Sequence, residues 1–221
     1  MSWFSNLIAY WKLDSSANAS KGGFTGTATN VTHAAGKIKD CAVFATGNIN
    51  YGNVLIQTTN LFSIAFWIKT TTSGTRRGVI SNVRNDGVGY YVDLLTDGKI
   101  RAGIATTGGD YRVRDSSVSV NDGNWHLVIF IRSSIGGLPD VYIDDTLRNG
   151  GSFSAGTVNS IFFNGTFYFG KSATSTADFI GSLDEIAFVN SSLDASERSA
   201  LWNSGNGTSY VDSNFFPFFK L

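Results

Sequence analysis

The residues best equipped for chemistry lie near the C-terminal end, in Phe179-Ile-Gly-Ser-Leu-Asp-Glu-Ile-Ala-Phe-Val189. The apolar positions mark a buried strand, and the strand carries two adjacent carboxylates, Asp184 and Glu185. A buried carboxylate is costly unless it is hydrogen-bonded, paired or bound to metal. Glycoside hydrolysis needs two carboxyls roughly 5–9 Å apart facing one bond. Successive strand residues point to opposite faces. Regular alternation therefore separates Asp184 from Glu185, and Asp144 from Asp145. Asp93 and Asp97 are four apart, but Asp97 belongs with Gly98 to a turn. The chain has one other glutamate, Glu197, which is better placed as a helix cap. No hydrolase or lyase centre is expected. Asp184 is expected to bind a metal or backbone N–H groups, and Glu185 to pair with an arginine or backbone donor on the other face.

Nucleophilic and zinc chemistry are equally poorly served. His126 lies in the apolar run Trp125-His-Leu-Val-Ile-Phe-Ile131 and reads as a structural histidine. His33, in Asn30-Val-Thr-His-Ala-Ala35, reads as exposed loop. Neither neighbours a nucleophile motif such as Gly-x-Ser-x-Gly. Two distant histidines and one cysteine do not make a zinc site. That cysteine, Cys41, excludes an intrachain disulfide and reads as a small buried residue.

Binding chemistry is better represented. Net charge is zero, yet residues 76–114 hold seven basic and four acidic side chains, including six of the nine arginines. The cluster reads either as solvated strand ends or as a basic patch for an anionic ligand. Tyr91 and Asp93 share one face of their strand, and Arg101 shares its own with Gly103. A hairpin through Asp97-Gly98 brings these together, with Tyr111, Arg112 and Arg114 following a Gly-Gly turn. Tyr91, Asp93, Arg101, Tyr111 and Arg112 are the candidate ligand-binding residues. Tyrosine stacks on sugar rings, and arginine reads planar anions through two N–H groups. No basic stripe or RNA-binding motif points to nucleic acid.

These groups need a β framework, which the rest of the chain supplies. It has 221 residues, is 42% hydrophobic, and contains 25 glycines and two prolines. About twelve short apolar runs recur between turn signals, as in an antiparallel two-sheet sandwich or jelly roll. Phe62-Ser-Ile-Ala-Phe-Trp-Ile-Lys69 is apolar on both faces, as a covered central strand must be. Asp97-Gly98 predicts a tight hairpin. Turns are also expected at Gly47-Asn48, between strands at 41–44 and 51–56, at Asn149-Gly-Gly151, and at Asn164-Gly165. One short helix follows Asp194-Ala-Ser-Glu197, which has capping-box spacing, and ends by Gly205. No apolar run approaches the roughly 18 residues of a membrane span, so no membrane partner is expected.

Four ordered segments resemble the laminin-G-like, concanavalin A-like lectin/glucanase family over roughly residues 7–205. They are Ala9-Tyr-Trp-Lys-Leu-Asp14, Phe62–Ile68, Asp122-Gly-Asn-Trp-His-Leu-Val128 with Val141-Tyr-Ile-Asp144, and Phe179–Ile186 with Leu193-Asp-Ala-Ser-Glu197. The resemblance implies a jelly roll of two curved sheets. It does not imply one function, since the family spans lectins, adhesion modules, glycanases and viral surface proteins. It also implies a structural calcium at positions matched by Asp14 and Asp184. Alternatively, Asp14 caps a turn and Asp184 accepts backbone N–H bonds.

Residues 1–210 are expected to form one all-β jelly-roll domain, with 211–221 as an aromatic tail. The tail carries Phe215, Phe216, Phe218 and Phe219 around Pro217 and either closes the sandwich or docks on a larger assembly. The N-terminus lacks signal-peptide features. The expected function is a non-catalytic surface module that recognises glycans, extracellular or displayed on a virion. The alternative is a structural capsid-decoration or tail assembly protein that binds other proteins and no sugar.

Overall fold

The computed structural model describes residues 3–54, 61–84, 86–106, 109–158 and 165–211. The expected turn at Asn164-Gly165 and the four tail phenylalanines, Phe215, Phe216, Phe218 and Phe219, lie wholly or partly outside them. Among the described residues there are fifteen strands and one α-helix. The first strands are β1 (Leu7–Trp11), β2 (Thr27–Ala35), β3 (Asp40–Asn50), β4 (Phe62–Lys69) and β5 (Arg77–Val83). The middle of the chain forms β6 (Gly89–Leu94), β7 (Lys99–Ala105), β8 (Tyr111–Ser119), β9 (His126–Arg132) and β10 (Asp140–Ile143). Then follow β11 (Thr146–Leu147), β12 (Asn149–Ala155), β13 (Thr166–Phe169), β14 (Ala177–Asp178) and β15 (Ile180–Val189).

The pairing is antiparallel except for the short β14–β5 contact. Its order is β11-β10-β9-β4-β15-β3-β13-β5-β6-β7-β8-β12, with β1 beside β15 and β2 beside β3. The path folds over at β3, which pairs with β15 through residues 42–45 and with β13 through 49–50. Two layers result, and the main core lies between them. Phe62, Ile64, Phe66 and Ile68 of β4 meet Tyr90, Val92 and Leu94 of β6 and Ile100, Ala102 and Ile104 of β7 in one buried cluster. Alternate residues consequently point outward, and those of β6 and β7 form the outer surface of the second layer.

The outer face of the first layer is covered by the helix α1 (Ala195–Trp202). Asp194 caps it, accepting from the Glu197 N–H while Glu197 accepts from the Asp194 N–H, so both sides of the capping box form. Trp202 stacks on Trp67 at 5.5 Å, and Lys37 Nζ lies 4.4 Å above the Trp67 ring. Leu193 and Leu201 join Tyr10, Ala65, Trp67, Leu127 and Ile129 in a second buried cluster under the helix.

Three local expectations are corrected. Gly47-Asn48 is not a turn, because β3 runs unbroken to Asn50 and Gly47 sits against the Thr29 and Asn30 carbonyls of β2. Asn149-Gly-Gly151 is not a turn either. It begins β12, which hydrogen-bonds along β8 with a register shift between Asn149 and Ser152. Residues 30–35, expected to be loop around His33, belong to β2, although His33 is exposed as expected. At Gly47 and Gly150 the glycine serves close approach of a neighbouring strand's backbone and not a turn.

Candidate functional site

Asp184 and Glu185 do not lie on opposite faces. Between Asp184 and Ala187 the pairing of β15 with β4 shifts register, so Glu185 and Ile186 together face the single residue Phe66. Glu185 takes a left-handed φ of 49°, and the bulge turns its side chain back to the side of Asp184. Asp184 stands across from Trp67, and Glu185 accepts a hydrogen bond from the Tyr10 hydroxyl, so both carboxyls face the helix side. The expectation that Glu185 pairs with an arginine or backbone donor on the far face is corrected. After the bulge, Ile186 and Phe188 return to the main core and Ala187 and Val189 to the helix side.

Both acids are buried, at 0% and 4% exposure. Asp184 Oδ2 accepts the Lys37 and Ile38 N–H groups at 2.8 and 3.0 Å, fastening the 36–40 loop to β15. Its Oδ1 has no hydrogen-bond partner among the described residues. Burial pushes the Asp184 carboxyl up to about 8, and Glu185 raises it further, against the pull of the two N–H donors. Burial likewise lifts Glu185 to about 7, opposed by the Tyr10 hydrogen bond. Asp14 Oδ1 lies 3.4 Å from the Asp40 N–H, at the far end of the same loop. Among the described residues no three Asp, Glu, His or Cys side chains converge on one point.

The outer face of the second layer holds a different arrangement. Tyr91 of β6 stands across from Gly103 of β7, Gly103 from Val113 of β8, and Val113 from Phe153 of the edge strand β12. One cross-strand row thus runs over four strands. A methyl group at Gly103 would overlap the Tyr91 ring, so the glycine lets the tyrosine lie flat on the sheet. Tyr91 is only 8% exposed, whereas Phe153 is 51% exposed. In the next row Ala105 stands across from Tyr111. With Gly87, Thr174 and Arg101 at its margins, the surface encloses an open hollow of about 320 Å³. A second hollow of about 450 Å³ shares Gly87, Ala105 and Tyr111 with it and extends past Thr106 and Gly109.

The charged residues around this hollow are paired. Arg101 clamps Asp115 through Nε and Nη2 at 2.6 and 2.8 Å, and its guanidinium lies 5.1 Å from the Phe153 ring centre. The hydrogen bond to Asp115 is the main reason the Arg101 pKa is raised. Asp93 is fully buried beside the hollow, where Arg76 reaches its Oδ2 through Nη2 at 2.5 Å and Nε at 2.7 Å, and Thr174 Oγ1 lies 3.2 Å away. Burial lifts the Asp93 carboxyl to about 6, and Arg76 pulls it back.

The hollow therefore gathers Tyr91, Arg101 and Tyr111, with Asp93 buried beside it under Arg76 and Thr174. It does not include Arg112. β8 alternation turns Arg112 to the opposite side, where it donates to the Gly136, Ala155 and Gly156 carbonyls at 2.6, 3.0 and 3.1 Å. Arg114 faces the same way and donates to Pro139 at 3.3 Å. Of the two readings of the arginine cluster, a free basic patch is ruled out by pairing. Arg76, Arg84 and Arg101 pair with Asp93, Asp86 and Asp115, and Arg77 donates to the Asp178 carbonyl. Phe153 and Thr174 were not anticipated. Phe153 had a signal, as the lone aromatic at an alternating position in Gly150-Gly-Ser-Phe-Ser-Ala155, concealed by reading the segment as a turn. Thr174 had none, because a loop far along the chain delivers it.

No curated protein is matched by sequence. Among solved structures, domain 4 of AbnA, a GH43 extracellular arabinanase from Geobacillus stearothermophilus, in complex with arabinotriose, is similar at a TM-score of 0.69 and 21% identity. The match covers 88% of this chain and 97% of that one. The binding domain of Paraclostridial Mosquitocidal Protein 1 is similar at a TM-score of 0.74 and 16% identity, covering 92% and 53%. The binding domain of Botulinum Neurotoxin serotype G matches at 0.67 and 17%, covering 90% and 51%, so the chain spans about half the length of these two binding domains. At these identities the likeness establishes the jelly-roll fold. A family model described as the concanavalin A-like lectin/glucanases superfamily matches residues 44–197, well over half of the chain, and the protein belongs to that superfamily.

Proposed function

We propose that the chain is a non-catalytic binding module that recognises glycans through the hollow between Tyr91, Tyr111 and Phe153. The observation that carries this reading is the Tyr91–Gly103–Val113–Phe153 row, which leaves a half-exposed aromatic ring beside a pre-formed hollow. A single exposed ring is ordinary on a protein surface; its place beside the hollow is what fits it to a ligand. Aromatic faces bind the C–H faces of sugars, and Thr174 and the tyrosine hydroxyls offer hydrogen bonds to ring hydroxyls. The arabinanase domain complexed with arabinotriose and the toxin binding domains are consistent with this use of the fold. The paired acids of β15 support a non-catalytic role, since neither reaches solvent where a glycosidic bond would lie.

Display outside the cell, on a virion or cell surface, is part of the same proposal. Among the described residues no helix is long and apolar enough to cross a membrane. The alternative is a capsid-decoration or tail assembly protein binding other proteins, favoured by the four phenylalanines between 215 and 219. A structural calcium is a further part of the proposal. Asp184 Oδ1, buried and without a hydrogen-bond partner among the described residues, together with Asp14 at the same loop, would hold it, and it would supply positive charge to a buried acidic pair.

A glycan array with the wild type, Tyr111→Ala and Phe153→Ala tests the reading. Binding that both substitutions abolish supports it. A uniformly negative array favours the assembly reading.

A further inference from the structure

We infer that the hollow selects uncharged glycans and discriminates against acidic ones, an inference that rests on the glycan-binding reading. Among the described residues, the only charged side chain lining the main hollow is Arg101. In an unoccupied site, a free arginine would read a carboxylate or sulfate through its planar fork of donors. Arg101 is not free. Asp115 occupies two donors in bidentate geometry, with the two side chains 22% and 15% exposed. An acidic sugar approaching the remaining N–H donors of Arg101 would meet the charge of Asp115 beside them.

The surroundings repeat the pattern. Arg76 lies 5.5 Å from the Tyr91 ring centre, but its charge is spent on Asp93, fully buried beside the hollow. Asp93 Oδ1 has no hydrogen-bond partner among the described residues, but the charge of Asp93 is matched by Arg76. Arg84, near the adjoining hollow, is paired with the lining residue Asp86 at 2.7 Å. Arg112 and Arg114 are directed to carbonyls on the opposite side of the strand. The two pairs at the main hollow sum to zero charge, Arg76 with Asp93 and Arg101 with Asp115.

What remains for a ligand is apolar and neutral-polar. Phe153 and Tyr111 offer ring faces, and Val113 and Ala105 line the floor. The Arg101–Phe153 stack fixes the orientation of both groups, so the aromatic face is pre-organised by a neutralised cation. Asp115 acts here as a positioning residue and a specificity gate. It holds Arg101 against Phe153 and cancels the charge that would attract acidic glycans.

The test is a glycan array carrying neutral oligosaccharides with their uronic, sialylated and sulfated counterparts, followed by titration calorimetry on the best neutral and acidic pair. The expected result is at least a tenfold preference for the neutral member. Neutral binding should change less than twofold between about 0.05 and 0.5 M salt, a range that strongly alters screening. In Asp115→Asn the acidic member should gain at least tenfold in a salt-sensitive manner. Acidic glycans that bind the wild type as tightly as neutral ones, and lose binding in Phe153→Ala, overturn the inference while leaving the hollow as the site. If Asp115→Asn does not fold, strong salt dependence in the wild type overturns the inference by itself. Binding to no glycan of either class overturns the underlying reading as well.

Discussion

The Tyr10 hydroxyl donates to Glu185 from the neighbouring strand, on the side of the sheet where Asp184 also points. Two adjacent acids thus share one buried layer, and the bulge at Glu185 makes this possible. Tyr10→Phe should lower stability by about 1–3 kcal/mol, the cost of a buried acceptor losing its donor. Chemical denaturation of the two proteins measures this. Equal midpoints and slopes would show that the pair contributes nothing.

The half-exposed Phe153 should matter to the ligand far more than to the fold. Phe153→Ala should weaken glycan binding about tenfold or more, in the range of a contact-centre aromatic, and shift the melting temperature little. A large melting shift with unchanged binding would assign the ring to structure alone.

Gly103 gives the opposite case. A side chain there overlaps the Tyr91 ring, whose hydroxyl and edge lie directly over the glycine. Gly103→Ala should cost about 1–3 kcal/mol through overpacking and should weaken ligand binding as Tyr91 tilts. Wild-type stability in this variant would mean that the ring moves aside freely.

His126 is held between Asp144 Oδ2 at 2.8 Å and Asp122 Oδ1 at 3.0 Å. The hydrogen bond to Asp144 is the larger cause of its raised pKa, partly offset by burial and reinforced by Asp122. A histidine pKa raised by folding adds stability that is complete below the unfolded value of about 6.5 and is lost as pH rises through the folded value. The melting-temperature gap between wild type and His126→Gln should therefore narrow as pH is raised above about 6.5. A gap constant from pH 5 to about 9 would remove the ionic contribution.

Calcium should raise the melting temperature over a chelated sample if Asp14 and Asp184 hold the ion, and Asp184→Ala should erase the rise. No rise in the wild type removes the metal site and leaves Asp184 as the acceptor of the Lys37 and Ile38 N–H groups alone.

Much of the architecture was legible because its signals are local. The capping box at Asp194 and Glu197 forms as spaced, and Asp97-Gly98 closes the β6–β7 hairpin with Gly98 at a φ of 79°. The alternation of Tyr90, Val92 and Leu94 against Tyr91 and Asp93 separated the core face of β6 from its outer face. Period-two patterning and turn chemistry need no knowledge of distant partners.

The sequence by itself determined a β sandwich of this superfamily, one capped helix, and a Tyr91–Arg101–Tyr111 surface. Only the tertiary structure decided which side Glu185 faces, since a single extra residue in the β15–β4 ladder reverses alternation downstream. It alone decided that Arg112 turns away, that Asp115 neutralises Arg101, and that Phe153 and Thr174 join the hollow. Strand register and charge pairing are set by partners far apart in the chain. A one-residue shift exchanges the faces, and one carboxylate brought across from another strand cancels the charge that the arginines display in the sequence.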